Sequence, residues 1–208
     1  MRMLRLHVNL DHPQPRHIAR AADALRAGGL VIYPTDTTYG LGCDFFAKRA
    51  IDRIYQLKGM DAKHPLSFLC ADLSEVARYG VVEDRNYRIL RHHVPGKYTF
   101  ILPATREVPK VVQSNARTVG VRLPESPVCL ALIRELGHPL ISTTVARQPS
   151  TPQSYINDPD EIAQGFGRSV EVFLDGGLIV GEPSSVVDLT GEAPAILRRG
   201  SGDLSWLE

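Results

Sequence analysis

Short apolar runs along the chain alternate with segments in which apolar residues recur every three or four positions. The helical spacing is clearest over residues 16–27, where Ile18, Ala22 and Leu25 fall on one face and Pro15 suits the first turn. The same spacing, together with residues that start or stop helices, predicts five more helices. They are 47–58 opened by Asp44, a short helix opened by Asp72 with Glu75 and ending at Gly80, one from Asp84 to His93, one from Ser126–Pro127 to Gly137, and one opened by Asp158–Pro159.

Apolar runs of strand length lie between these helices. The predicted strands are LVIYPT (30–35), PLSFLC (65–70), YTFIL (98–102), TVGVRL (118–123), PLIST (139–143), VEVFLD (170–175), SVVDL (185–189) and AILR (195–198). Uninterrupted alternation of strands and helices predicts one α/β domain over residues 1–208, with a twisted mixed sheet flanked by helices. The polar stretch from Thr143 to Asn157 is the longest segment without a predicted element, and we interpret it as a candidate lid.

Composition is that of a folded protein. Of 208 residues, 43% are hydrophobic and 23% charged, too well mixed for extended disorder. No apolar run reaches the roughly 20 residues that cross a bilayer, and the first residues lack the apolar segment of a secretory signal. We therefore expect a cytoplasmic protein with no membrane partner. Cys43, Cys70 and Cys129 are far apart and surrounded by apolar residues, which predicts reduced core thiols.

Charge is unevenly distributed although the net charge is only +1. The segment from Arg78 to Arg122 is strongly basic, whereas the segment from Ser150 to Glu192 is acidic. A basic half suits an anionic ligand such as a nucleotide or RNA, but solvated helix faces produce the same pattern.

Several familiar sites are excluded. The chain has no G-x-x-x-x-G-K-[ST] loop, no G-x-G-x-x-G after the first predicted strand, no G-x-S-x-G and no H-E-x-x-H. Its histidines lack metal-ligand spacing, so no protein-held metal is expected. The unusual stretch is PTDTTYGLGCD (34–44), where a buried strand ends in hydroxyls, a carboxylate and two glycines. Such a strand end is suited to hold a small polar ligand, and a plain turn with Gly40 and Gly42 at positive φ is the alternative.

This stretch resembles the PT[ED]TxYGLG signature of the YrdC/YciO family, which includes the threonylcarbamoyl-AMP synthases. The resemblance continues in family order over nearly the whole chain. The matching segments are Leu57–Gly59, Pro95–Phe100, Thr118–Arg122, Ile141–Thr144, Ser184–Asp188 and Ile196–Arg198.

Membership implies a single twisted α/β domain, the YrdC-like fold, with a large basic cavity. It also implies the condensation of L-threonine, bicarbonate or CO2, and ATP with Mg²⁺ into threonylcarbamoyl-AMP and pyrophosphate, for the t6A modification of tRNA. That route needs no covalent enzyme intermediate, so no catalytic nucleophile is expected; the protein chiefly positions reactants and stabilises charge.

The resemblance also implies roles for individual residues. It assigns Thr37, Arg122, Ser142 and Ser184 to threonine, and Lys58, His64, Thr118, Thr144 and Arg198 to the nucleotide. The chemistry of the residues agrees at Arg122, because a guanidinium at a strand end is costly to bury without an anion. A structural salt bridge at Arg122, a helix-dipole role for Lys58 and a surface position for Arg198 are the alternatives.

Two departures from the synthase pattern stand out. Met60 replaces the arginine of K-x-R-P-x-x-[KN]-P-L, and Ala146 replaces the asparagine of S-x-N. Lys63 or His64 could substitute in part for the lost cation. The pattern is most like the YciO branch, so two functions stay open: a threonylcarbamoyl-AMP synthase, active at a normal or a reduced rate, or a paralogue that binds nucleotide or double-stranded RNA or tRNA without efficient synthesis.

Overall fold

The computed structural model describes residues 3–59, 66–109, 117–146 and 155–207. Ten strands in these residues form one sheet. The strands are β1 (Leu4–His7), β2 (Val31–Pro34), β3 (Tyr39–Asp44), β4 (Ser67–Leu69), β5 (Tyr98–Pro103), β6 (Thr118–Arg122), β7 (Leu140–Thr144), β8 (Val172–Asp175), β9 (Ser185–Asp188) and β10 (Ala195–Arg198).

Six α-helices and one short 3-10 helix complete the described part of the chain. They are α1 (Pro15–Arg26), α2 (Lys48–Lys58), α3 (Leu73–Tyr79), α4 (Asp84–His93), α5 (Pro127–Leu136) and α6 (Pro159–Phe166), with the 3-10 turn at Ser205–Leu207.

The sheet is mixed, as predicted. Its strand order is β1-β8-β2-β3-β7-β4-β6-β5-β9-β10. Strands β1 and β2 both run parallel to β8, and the pairs β4–β6 and β5–β9 are also parallel. The remaining neighbours, including β3 with β7, are antiparallel. The α/β prediction with helices on the sheet is confirmed.

Helices cover both faces and enclose two apolar cores. On one face, α1 and α5 pack together over β2, β8 and the first half of β7, where Val31, Leu174 and Leu140 are buried. On the other face, buried residues of α2, α3, α4 and α6 pack against alternate residues of the central strands, such as Ile141 and Val121. Because strand side chains alternate between faces, the second core takes every other residue of β7 and β6. The intervening residues of those strands are therefore available to the opposite face.

The expected strict alternation of strands and helices is wrong. Strands β2 and β3 follow each other as a hairpin-like antiparallel pair, α3 is followed directly by α4, and β5 by β6. Strand β3 was missed because its two glycines and its hydroxyls resemble a turn, and β1 because its alternation is weak over four residues.

Helix starts are partly as predicted. As expected, the side chains of Asp158 and Ser126 accept hydrogen bonds from backbone N–H groups in the first turns of α6 and α5. Asp72 accepts from Glu75 N, whereas the Glu75 carboxylate accepts from Ala71 N, so the capping box is only half formed. Asp44 does not cap α2, because its carboxylate accepts from Phe46 N and the helix begins four residues after it.

The core and loop predictions have different outcomes. All three cysteines are free and buried, which confirms reduced core residues. The stretch proposed as a lid is shortened at its start, since Thr143 and Thr144 lie in β7 and Ala146 bridges Tyr155. Residues 147–154 lie outside the described residues, so the lid stays a prediction.

Candidate functional site

The centre of the sheet presents glycines and hydroxyl groups on one face. Ser142 in β7 lies opposite both Gly42 in β3 and Ser67 in β4, and Ser67 lies opposite Gly120 in β6. Residues directly opposite each other on paired strands project to the same side, so these four share a face, here called the site face. No side chain in this row is larger than a serine, and the ring of Tyr33 packs over Gly42, so the hydroxyls of Ser142 and Ser67 are the polar groups of the row.

Three other predicted residues lie on the site face by the same register. Thr144 lies opposite Gly40, two residues from Ser142, while Thr118 and Arg122 flank Gly120 along β6. Thr118 is partly buried at the start of its strand. Together with Ser142, the strands therefore direct four of the predicted ligand-binding residues to one side of the sheet.

The turn between β2 and β3 is held by its own hydroxyls. Thr35 Oγ1 accepts from the backbone N–H groups of Thr37 and Thr38, at 3.1 and 3.2 Å, and donates to the carbonyl of Thr38 at 2.6 Å. Oγ1 atoms of Thr35 and Thr37 are also 3.1 Å apart. Side chains that bond to nearby backbone in this way fix a short loop. The turn consequently holds Asp36 and Thr37 in defined places beside the site face.

Arg122 contacts both of those residues. Its Nη2 donates to the Oδ1 of Asp36 at 2.7 Å and to the Oγ1 of Thr37 at 2.9 Å. Thr37 and Arg122 thus lie together, and the alternative of a structural ion pair at Arg122 also holds, because the side chains of Asp36 and Arg122 are only 7% and 10% exposed. The pair is single rather than forked: Arg122 Nε and Asp36 Oδ2 are buried without a hydrogen-bond partner among the described residues. Each ion is therefore incompletely satisfied, a costly arrangement for buried charges.

Ser184 and Arg198 meet at the end of the sheet nearest β9. The Nε and Nη2 atoms of Arg198 donate to the carbonyl of Ser184 at 3.0 and 2.8 Å, and Nη2 also reaches its hydroxyl at 3.3 Å. The Ser184 hydroxyl lies 2.9 Å from that of Thr99, which is buried in β5. Arg198 is exposed overall, so the surface alternative holds for its position, while its guanidinium is fixed by the hydrogen bonds to Ser184.

Lys58 ends α2 and reaches the last residues of β7. Its Nζ donates to the carbonyl of Thr144 at 2.6 Å and to the hydroxyl of Thr143 at 3.3 Å. Burial, with the positive charge of Arg198, lowers the pKa of Lys58 to about 8. The residue is only 7% exposed and its ammonium bonds to neutral oxygens, so it does more than complement the helix dipole.

Three cations form one electrostatic cluster. Burial, with the positive charge of Arg122, lowers the pKa of Arg198, just as Arg198 acts on Lys58. Among the described residues, Asp36 is the one carboxylate that forms an ion pair with this cluster, and its partner is Arg122. Like charges that are partly buried and mutually repelling bind an anion favourably, because the anion relieves both the repulsion and the desolvation.

Ser142 is held by a residue of the neighbouring apolar core. The hydroxyl of Tyr33, a fully buried residue of β2, donates to Ser142 Oγ at 2.6 Å.

Sequence reasoning missed Tyr33, Thr99 and Ser67 because each resembles an ordinary strand residue. It also missed Asp36, which could have been found, since it is the one carboxylate next to Thr37 in the unusual motif.

Some predicted features lie beyond these contacts. His64 and Met60 fall outside the described residues, and the volume of the expected basic cavity stays a prediction. Among the described residues, no cluster of three or more His, Cys, Asp or Glu side chains is placed to hold a metal ion. No helix in that same part of the chain combines the length and apolar character needed to cross a membrane.

Comparison with known proteins relates the site to a family. The Sua5/YciO/YrdC family model, described as "Telomere recombination", matches residues 23–200. An uncharacterized protein of Haemophilus influenzae is 39% identical over 197 residues, 94% of this chain and 95% of that protein. The uncharacterized protein YciO of Escherichia coli is 36% identical over 199 residues, 95% of this chain and 96% of that protein. Its crystal structure covers 98% of both chains with a TM-score of 0.93.

A synthase is also similar, at lower identity. The threonylcarbamoyl-AMP synthase of Pyrococcus abyssi is 33% identical over 193 residues, which are 90% of this chain but 55% of the synthase. The crystal structure of the Sua5 protein from the same organism, complexed with L-threonine, has a TM-score of 0.87 at 28% identity and covers 95% of this chain and 58% of that one. This chain therefore spans somewhat more than half the length of those synthases.

Proposed function

The chain belongs to the Sua5/YciO/YrdC family, and from its site we propose that it condenses L-threonine, bicarbonate or CO2, and ATP into threonylcarbamoyl-AMP and pyrophosphate. The observation that carries the proposal is the contact of Arg122 with Thr37 beside the cationic cluster of Lys58 and Arg198. A paired guanidinium and hydroxyl suit the carboxylate of an amino acid, and the adjacent cations suit phosphates. The P. abyssi Sua5 structure, complexed with L-threonine, supports threonine as the amino acid.

The chemistry asks mainly for positioning. The amine of threonine takes up CO2 to give a carbamate, and a carbamate oxygen then attacks the α-phosphorus of ATP as the bond to pyrophosphate breaks. In this scheme Arg122 holds the threonine carboxylate, and Lys58 and Arg198 face the charge that develops on the phosphates. The described residues offer no carboxylate cluster for Mg²⁺, so the phosphates themselves would hold the ion that accompanies ATP.

A second candidate function is nucleotide or RNA binding without efficient synthesis. Met60 and Ala146, which replace an arginine and an asparagine of the synthase pattern, favour it. The exposed basic side chains of α4, among them Arg88 and Arg91, add a surface suited to phosphates. An amino-acid clamp has no evident use in a pure RNA-binding protein, and this is why the synthase is proposed first.

Pyrophosphate release from ATP separates the two functions. We expect release that requires both threonine and bicarbonate, and loss of that dependence in Arg122→Ala. Release that is equal with and without threonine, or absent at all concentrations, would contradict the synthase. Retarded migration of tRNA, strongly reduced by salt, in a protein without threonine-dependent release would instead support the binding function.

A further inference from the structure

Tyr33 connects the site face to the apolar core packed on the same side of the sheet. Its side chain is fully buried among residues of the core formed with α1 and α5. Only its hydroxyl reaches a residue of the proposed site, Ser142, at 2.6 Å. Ser142 is itself 7% exposed, so the contact lies at the floor of the site face.

The two glycines of the YGLG segment make room for this tyrosine. A Cβ at Gly40 would lie 2.7 Å from Cε2 of Tyr33, and one at Gly42 would lie 2.6 Å from the carbonyl oxygen of Ile141 and 3.0 Å from Cε1 of Tyr33. Neither glycine adopts a positive φ, so the alternative of a turn with left-handed glycines is wrong. Only positions 40 and 42 of the segment carry no side chain, and the Tyr33 ring lies across β3 at both of them on its way to Ser142.

The direction of this hydrogen bond determines what Ser142 can still do. Burial raises the pKa of Tyr33 well above its usual range, so the phenol keeps its proton and donates it. A serine oxygen that accepts from Tyr33 still has its own proton to donate. That proton is directed away from the phenol oxygen. The Tyr33 ring covers Gly42 on one side of Ser142, and the small residue Ser67 lies opposite Ser142 on the other side of the site face.

We propose that Tyr33 is a positioning residue that fixes the Ser142 hydroxyl as a hydrogen-bond donor to an acceptor oxygen of the amino-acid ligand. The inference rests on the proposed function, because it takes threonine, with its carboxylate and hydroxyl oxygens, as that ligand. Tyr33 itself touches no ligand. Its effect is transmitted entirely through Ser142, and this gives the inference a specific signature.

The test is a double-mutant cycle on threonine affinity, measured by calorimetry. Tyr33→Phe keeps the ring and removes the hydroxyl, and we expect the threonine Kd to rise roughly three- to tenfold, the worth of one neutral hydrogen bond. Ser142→Ala should weaken binding at least as much. In the Ser142→Ala background, Tyr33→Phe should have no further effect, because the residue it acts through is gone.

Tyr39→Phe is the matched control. Tyr39 is also buried, and its hydroxyl donates to the carbonyl of Gly177 and accepts from Gly176 N, both outside the predicted threonine residues. Its removal should lower the melting temperature without changing the threonine Kd. In Tyr33→Phe, KM for threonine should rise while kcat stays within about twofold, a split that mere loss of stability does not produce.

The outcomes separate this inference from the proposed function. A wild-type protein that binds no threonine would overturn both. If the wild type binds threonine, an unchanged Kd in Tyr33→Phe would overturn the positioning role alone. An equal loss of affinity from Tyr33→Phe with and without the Ser142 hydroxyl would overturn it as well. If Tyr33→Phe does not fold, full threonine affinity in Ser142→Ala would likewise overturn the positioning role.

Discussion

The guanidinium of Arg122 donates to the hydroxyl of Thr37 across 2.9 Å, joining the end of β6 to the turn that follows β2. The same nitrogen donates to Asp36, so two consecutive residues of one turn hold one edge of the guanidinium. Such a group loses little further side-chain freedom when a ligand binds. The site is thus partly preorganised by contacts between distant parts of the chain.

Arg122 should be the main determinant of threonine affinity. We expect Arg122→Ala to weaken binding by about 1.5–3 kcal/mol, the worth of a hydrogen bond to a charged group, and Arg122→Lys to recover only part, since an ammonium cannot reproduce the planar guanidinium. Calorimetric titration with threonine measures both. Arg5→Ala, which breaks another Arg–Asp pair at the β1 edge, is the control and should leave the affinity unchanged. Equal titrations of wild type and Arg122→Ala would reject the role.

Nucleotide binding should depend on the protonation of Lys58. Its pKa in the free protein is about 8, lowered by burial and by Arg198. A bound phosphate favours the charged ammonium, so ATP affinity should be greatest below pH 8 and should fall as pH rises above it, approaching tenfold per unit. Lys58→Met should bind ATP weakly with a flat profile between pH 7.5 and about 9.5. A wild-type profile as flat as that of Lys58→Met would contradict the assignment.

The same residue makes a prediction about stability. Because the folded-state pKa of Lys58 lies below its unfolded value, folding releases protons between the two values, and stability should rise with pH from about 8 upwards. Thermal melts of wild type and Lys58→Met isolate this contribution from other groups. The difference between their melting temperatures should move in favour of wild type as pH increases. Movement in the opposite direction would show that the ammonium is stabilised by a partner rather than desolvated.

His138 should stabilise the fold at low pH. Its Nδ1 lies 3.1 Å from the carbonyl of Pro139 and its Nε2 3.5 Å from the carboxylate of Asp44, so only the charged ring can donate to both. Burial lowers the pKa of His138, but Asp44 and the carbonyl outweigh it, and the net pKa is raised. The stabilisation should be complete below the unfolded pKa of about 6.5 and lost as pH rises through the folded value. The difference between melts of wild type and His138→Gln should shrink as pH rises through that value and then level off at the part due to ring packing against Phe45 and Phe46; a difference that is constant across the pH range would refute it.

The two departures from the synthase pattern should be reversible. Met60→Arg with Ala146→Asn restores a guanidinium and an amide for the nucleotide, and we expect kcat/KM for ATP to rise at least about tenfold, with the double variant exceeding the sum of the singles. Steady-state pyrophosphate release measures the change. A folded double variant that is no faster than its parent would favour the nucleotide- or RNA-binding function.

The sequence predicts elements best where local chemistry determines them. α4 matches its predicted bounds, with acidic Asp84 in its first turn and Pro95 just beyond its end, and α5 matches its predicted start, where Ser126 caps the helix, and its stop at Gly137. The prediction of a turn at Gly40 and Gly42 is wrong, because these glycines accommodate the ring of Tyr33 and are not required by the local backbone geometry. Tertiary packing of this kind leaves no periodic signal in the sequence.

The candidate site is likewise predicted in part from the sequence and revealed in part only by the fold. The motif and its resemblance identify Thr37 and Arg122, and the structure brings them into contact. The ion pair with Asp36 and the bond from Tyr33 to Ser142 join residues 86 and 109 positions apart, so only the fold reveals them. Residue types suggest which groups can bind a ligand, whereas the fold determines which of them are already held by one another.

The most direct measurement is mass spectrometry of the product formed from ATP, L-threonine and ¹³C-bicarbonate. The proposed synthase predicts threonylcarbamoyl-AMP that carries the label in its carbamoyl carbon, formed in proportion to pyrophosphate and abolished when threonine is omitted. It also predicts a large loss of product in Arg122→Ala at limiting threonine. A wild-type protein that binds ATP and threonine yet forms no labelled adenylate would contradict the central claim.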